Sequence, residues 1–139
     1  MMPLVFAKAA AVLSVLYAGV NAYQLTARFG EVREKARLFA AIAAVPGAPA
    51  RLRLVRALFY LAAPLAYLWT LLAAGLPAAF LAGAGAKFWI SSFVGLRAEA
   101  RLLRGKAYRR RDHRIARLDA LANITLACAA IWWILKIWT

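Results

Sequence analysis

Residues 57–96 read ALFYLAAPLAYLWTLLAAGLPAAFLAGAGAKFWISSFVGL, and Lys87 is the only charged residue among them. A helix needs about 20 apolar residues to cross the hydrocarbon core of a bilayer. The segment holds two such lengths, one on each side of Gly75-Leu76-Pro77. It lacks the alternation of apolar and polar residues that marks a barrel strand. It therefore predicts two membrane-spanning helices joined by a tight turn.

Two further apolar stretches flank this pair of helices. The chain has 139 residues, is 65% hydrophobic and carries a net charge of +14, a combination typical of neither a soluble domain nor a disordered basic tail. We expect a single membrane domain over 1–139, all-α and integral to the membrane, with four transmembrane helices. The predicted spans are 4–27, 57–74, 77–96 and 121–138.

The basic residues concentrate in the two connections 28–56 and 97–120. Short loops rich in Lys and Arg are retained in the cytoplasm, so both termini are predicted to lie outside it and both basic connections inside. The first helix is expected to continue into the first connection until Pro46-Gly47-Ala48-Pro49 breaks it, and a new helix to begin near Pro49. In the second connection, the interruption is expected near Gly105.

The N-terminal stretch also fits a secretory signal peptide, since it ends near Val20-Asn21-Ala22. Basic residues immediately downstream argue against translocation and favour an uncleaved anchor. No lipidation motif is evident.

Few residues in this chain are suited to catalysis or metal binding. His113 and Cys128 are the only histidine and cysteine, so neither a closed metal site nor a bis-histidine haem site is expected. We expect no enzymatic activity and no cofactor. His113 is predicted to be a solvated loop residue and Cys128 a small buried one. All five acidic residues fall in or beside the basic connections, which disfavours a proton-coupled antiporter.

Lys87 lies in the middle of the third predicted span, where an unpaired lysine costs about 2.5–3.5 kcal/mol on insertion scales. Ala79, Gly83, Ser91 and Gly95 repeat every four residues around it and form a small-residue face. We therefore expect Lys87 to point into a helix contact. Its partner could be helix carbonyls, a lipid phosphate or an acid on another polypeptide, because no acid of this chain is expected at that depth.

A polar stripe follows one face of the first span and consists of Ser14, Tyr17, Asn21 and Gln24. One interpretation is that these side chains form hydrogen bonds between helices and fix their register. The other is that they line a cavity for an anionic group, such as a lipid phosphate, together with Lys87 and Ser91.

The basic connections are expected to contact anionic lipid headgroups, which attract each cation near the surface by about 1 kcal/mol. Nucleic acid binding is disfavoured, because Tyr108 is the only stacking residue close to the densest cluster. The predicted headgroup contacts are Arg51, Arg53, Arg56, Arg109, Arg110, Arg111 and Arg114.

These observations favour a non-enzymatic accessory or scaffold subunit of a larger complex in an inner membrane, bacterial rather than mitochondrial. Its partners would be other membrane-protein subunits and anionic phospholipids, and the apolar segment 39–45 has no partner within its own connection. One alternative is a small transporter or flippase for anionic lipids or other anionic substrates, possibly a homo-oligomer. Another is a membrane-tethered adaptor whose arginines bind an acidic cytoplasmic protein.

Overall fold

A computed structural model describes residues 2–138, and all of their regular secondary structure is α-helical. Four of the helices are long and apolar enough to cross a membrane, which confirms the prediction of an all-α chain with four helices of this kind. The shorter helix, α2, comes between the first two of them in the sequence. The helices are α1 (Met2–Thr26), α2 (Phe29–Ala43), α3 (Ala48–Ala73), α4 (Ala78–Leu103) and α5 (Arg110–Trp138).

The breaks in both basic connections fall where the sequence predicts them. Gly47 has a φ of 81°, a left-handed conformation that suits glycine, and α3 begins at the next residue. Gly105 has a φ of 72° and lies between the end of α4 and the start of α5. Each helix that follows such a break begins well before the predicted span, so much of both connections is helical.

The prediction that the first helix continues into the first connection is wrong. Helix α1 ends at Thr26, and Arg28 has extended backbone angles, φ −76° and ψ 145°. Phe29, the first residue of α2, stacks on Tyr108, with their ring centroids 6.1 Å apart. In a continuous helix, Phe29 would lie further along the α1 axis. Because the helix breaks at Arg28, the Phe29 ring contacts the α4–α5 connection instead.

Helix α2 is amphipathic. Its inner stripe of buried and half-buried residues consists of Phe29, Val32, Ala36, Phe39 and Ala43, whereas its charged residues are exposed. The segment 39–45, predicted to lack a partner, is therefore partly covered: Ala43 is buried, and the Phe39 ring lies 5.1 Å from the Arg56 guanidinium. Ile42 and Val45 remain exposed.

Helix α1 packs along α5 and also contacts α3, and α3 in turn packs against α4. Ala10 on α1 and Ala127 and Ala130 on α5 are fully buried, and such small residues allow helix backbones to approach closely. Larger side chains, including Leu71 and Phe88, fill the core beside them. Cys128 is exposed, so the prediction of a buried cysteine is wrong, because its position on α5 faces away from the α1 contact.

Candidate intramembrane polar site

Lys87 forms an ion pair with Asp119, with Nζ and Oδ1 2.9 Å apart. Asp119 belongs to the apolar helix Arg110–Ile137, because α5 begins well before the predicted span. The expectation that this chain offers no acid at the depth of Lys87 is therefore wrong. The Lys87 Nζ atom is buried, although 20% of the Lys87 side chain and 35% of the Asp119 side chain remain exposed.

The Asp119 carboxylate accepts further hydrogen bonds from α4 and α5, and one of these donors also bonds to α1. Ser91 on α4 donates to Oδ1 over 2.5 Å, and the Asn123 amide on α5 donates to Oδ2 over 3.2 Å. The same Asn123 amide donates to Asn21 Oδ1 on α1 over 2.7 Å. A carboxylate in apolar surroundings is stabilised by such donors and by an opposite charge. The network therefore joins α1, α4 and α5 at one level.

The four residues of the predicted polar stripe on α1 have different surroundings. Asn21 belongs to the carboxylate network, whereas Ser14 is fully buried and lies 2.6 Å from the Tyr67 hydroxyl on α3. The Tyr17 ring packs 5.5 Å from that of Tyr67 and 5.7 Å from that of Phe88. Gln24 is exposed and lies outside this contact. Three turns of α1 thus contact three helices, and the fourth predicted position faces outward.

Two members of the network, Asp119 and Asn123, were not predicted from the sequence. They lie four residues apart on one face of α5, and Asn123 is 5% exposed. The Asn123 Oδ1 atom is buried and has no hydrogen-bond partner among the residues described. In the sequence, a carboxylate and an amide four residues apart, just before an alanine-rich apolar run, could have indicated a polar contact on this face of α5.

A second ion pair ties α3 to α4. Arg56 lies 2.7 Å from Glu99, which also accepts a hydrogen bond of 3.0 Å from the Tyr60 hydroxyl. The Tyr60 ring covers Gly95, where an added Cβ would lie 2.9 Å from it. Arg56, predicted as a lipid headgroup contact, is thus engaged within the bundle.

An aromatic cluster joins the two basic connections. Phe29 lies against Tyr108 and against His113, with centroid distances of 6.1 and 5.6 Å. His113 is half-buried in the first turn of α5, so the prediction of a solvated loop histidine is wrong, because this ring contact covers one side of it. Burial raises the pKa of Tyr108, and the nearby Asp112 charge raises it further. Asp112 is itself held by Arg101 at 3.1 Å.

The remaining predicted headgroup arginines are all exposed, and Arg110 lies over the Phe29 ring with 5.8 Å between guanidinium and centroid. Their positions leave them accessible to anionic groups. They are Arg51, Arg53, Arg109, Arg110, Arg111 and Arg114.

An open groove of about 540 Å³ runs between α4 and α5. The predicted small-residue face of α4 is divided, because Gly95 is covered by Tyr60 whereas a Cβ at Gly83 would have no atom within 4 Å. No side chain of the described residues thus fills the space beside Gly83. The lining residues are Ala79, Phe80, Gly83 and Ala84 on α4, and Leu118, Leu121, Ala122, Thr125, Leu126 and Ala129 on α5.

No protein-family model, no curated protein and no solved structure matches this chain. Within residues 2–138, no three His, Cys, Asp or Glu side chains are grouped so that they could hold a metal ion.

Proposed function

We propose that this chain is a non-enzymatic subunit of a larger assembly in a bacterial inner membrane, and that its α4–α5 groove receives a transmembrane helix of another subunit. The observation that carries this proposal is the unfilled space beside Gly83. Lipid tails are as apolar as leucine, so helices associate in membranes chiefly where small residues allow close packing. The groove offers such residues on both walls.

The pairing of Lys87 with Asp119 changes the kind of partner we propose. An unpaired lysine would have required a partner carrying an acid, whereas the ion pair satisfies its charge within the chain. The proposed partner helix therefore needs no acidic residue opposite Lys87. Close van der Waals contact with Gly83, Ala122 and Ala129 would hold it.

The contact between Phe29 and Tyr108 supports a location of both basic connections on the same side of the membrane. It brings the start of α2 and the α4–α5 connection to one end of the bundle. The exposed arginines at that end match the positive-inside rule, with the two termini on the other side.

A photo-crosslinking residue at Thr125, inside the groove, tests the proposal. We expect adducts of one defined mass in native membranes, identified by mass spectrometry as another membrane protein that also copurifies in mild detergent. Leu65 on α3, which is 64% exposed, is the matched control and should yield lipid adducts only. Gly83→Phe, which fills the groove, should reduce the protein adduct at least fivefold.

Adducts with lipid alone from Thr125, together with a monodisperse monomer after gentle purification, would overturn the proposal. An adduct of twice the chain's mass would overturn the proposal of a different subunit and identify a second copy of this chain as the partner.

A second candidate is a small transporter or flippase for anionic lipids, as a homo-oligomer. The Lys87 Nζ atom favours it, because this atom is buried and has no hydrogen-bond partner of regular geometry among the described residues, and a lipid phosphate would supply such an acceptor. In vesicles that contain a fluorescent anionic lipid, Lys87→Met should abolish transport and Lys87→Arg should retain part of it. Wild-type vesicles that are no faster than protein-free ones would eliminate this candidate.

A further inference from the structure

A second hollow, of about 460 Å³, lies where α2 turns into α3. Its walls are the end of α2 and the first turns of α3, and almost all of its lining is apolar. Ile42, Val45 and Val55 line it and are each more than half exposed, so no other part of the described chain covers them. Arg51 is the one charged residue in the lining.

We propose that this hollow binds one anionic phospholipid, with an acyl chain along its apolar walls and the phosphate held by Arg51. A free phosphate would leave the apolar walls exposed, and a wholly apolar ligand would not use the guanidinium. A phospholipid is apolar along its length and anionic at one end, which matches the distribution of groups in the hollow.

Charge complementarity supports an anionic headgroup over a zwitterionic one. Between Glu34 and Glu99 the sequence contains no acidic residue, so no carboxylate of this segment competes for Arg51. Arg56, on the same helix as Arg51, is already paired with Glu99. Arg51 is thus the exposed guanidinium that lines the hollow, and arginine binds phosphate through two parallel N–H donors.

The position of Arg51 along α3 also suits a headgroup. Arg51 lies in the first turn of α3, and the residues 57–74 that follow the arginines of this helix carry no charge. Cations at the end of a span reach the headgroup region readily. Leu52 and Val55 follow within one turn and offer apolar contact toward the hydrocarbon core.

This site lies on α2 and α3, whereas the proposed partner groove lies on α4 and α5. It does not depend on the proposed function, and either proposal can fail while the other stands.

Native mass spectrometry of the full chain in detergent tests the site, with phosphatidylglycerol and phosphatidylcholine as the added lipids. We expect one phosphatidylglycerol to bind in preference to phosphatidylcholine. Because one cation near a lipid surface contributes about 1 kcal/mol, Arg51→Gln should weaken that binding about fivefold. The matched control is Arg37→Gln, which removes an exposed arginine of α2 outside the hollow and should leave the binding unchanged.

A second pair of variants tests the apolar wall. Ile42→Gln should weaken binding of both lipids, whereas Leu38→Gln should not, although the two side chains are 59% and 56% exposed on the same helix. Equal binding of the two lipids by the wild type would overturn the proposal. So would equal losses in Arg51→Gln and Arg37→Gln, which would indicate attraction by net charge alone. Circular dichroism would verify that each variant keeps its helix content.

Discussion

Asp119 on α5 lies 2.9 Å from Lys87 on α4 and supplies the negative charge that this lysine needs within an apolar helix. The carboxylate also accepts hydrogen bonds from Ser91 and Asn123. Arg101 and Asp112 form a second ion pair between α4 and α5 near the second connection, and an open groove lies between the two helices further along. This network is therefore one of two polar links between α4 and α5 among the described residues.

Removing one partner of this ion pair should destabilise the protein more than removing both. Asp119→Leu leaves the Lys87 ammonium unpaired, and Lys87→Met leaves the carboxylate without its counter-charge; we expect each to lower the free energy of unfolding by about 2–4 kcal/mol. The double variant should remain within about 1 kcal/mol of the wild type. Unfolding in mixed detergent micelles, followed by circular dichroism, would measure this. A double variant that loses the sum of the two single losses would contradict the assignment.

Asn21 should contribute to stability and Gln24 should not, although both belong to the polar stripe of α1. The Asn21 side chain accepts a 2.7 Å hydrogen bond from Asn123, whereas Gln24 is exposed. Hydrogen bonds between membrane helices contribute about 0.6 kcal/mol on average and up to about 1.7. We expect Asn21→Leu to lower the free energy of unfolding within that range. Gln24→Leu should change it by less than about 0.5 kcal/mol, and a similar loss in both variants would argue against the network.

The four long apolar helices and the breaks at Gly47 and Gly105 could be predicted from the sequence because they depend on local properties, whereas the break at Arg28 carries no glycine or proline and was not predicted. A length of apolar residues makes a membrane helix, and Gly47 and Gly105 mark the points where helices stop. Neither property needs information about neighbouring helices.

The partners of Lys87 could not be predicted in the same way. Asp119 is two residues after Arg117, and its neighbours in the linear sequence assign it to the basic connection. Its depth depends on where α5 begins and on how α5 is rotated by its contact with α1. The hydrogen bond between Asn21 and Asn123 likewise joins residues 102 positions apart. Such pairings depend on how whole helices pack against one another, and a local sequence pattern does not indicate this packing.

Two glycines of α4 should respond differently to substitution. A Cβ at Gly95 would lie 2.9 Å from the Tyr60 ring, and the Tyr60 hydroxyl is held by Glu99, so the ring cannot move without weakening that hydrogen bond. Gly95→Val should therefore lower the free energy of unfolding by about 1–3 kcal/mol, as overpacking generally does. Gly83→Val should change it by less than about 0.5 kcal/mol, because nothing lies within 4 Å of its added Cβ. Equal losses, measured by unfolding in mixed micelles, would show that the chain itself uses the space beside Gly83.

Both basic connections should be labelled from the cytoplasmic side. Glu34 and Lys106 are exposed, one in each connection, and can be replaced by cysteine after Cys128→Ala removes the native thiol. The contact between Phe29 and Tyr108 requires the two connections to lie at the same end of the bundle, and their arginines favour the cytoplasm. An impermeant maleimide should therefore label Glu34→Cys and Lys106→Cys in inverted vesicles and not in intact cells. Ala78→Cys, at the opposite end of α4, should show the reverse. Labelling of the two connections from opposite sides would be incompatible with the aromatic cluster and with the arrangement of all four spans.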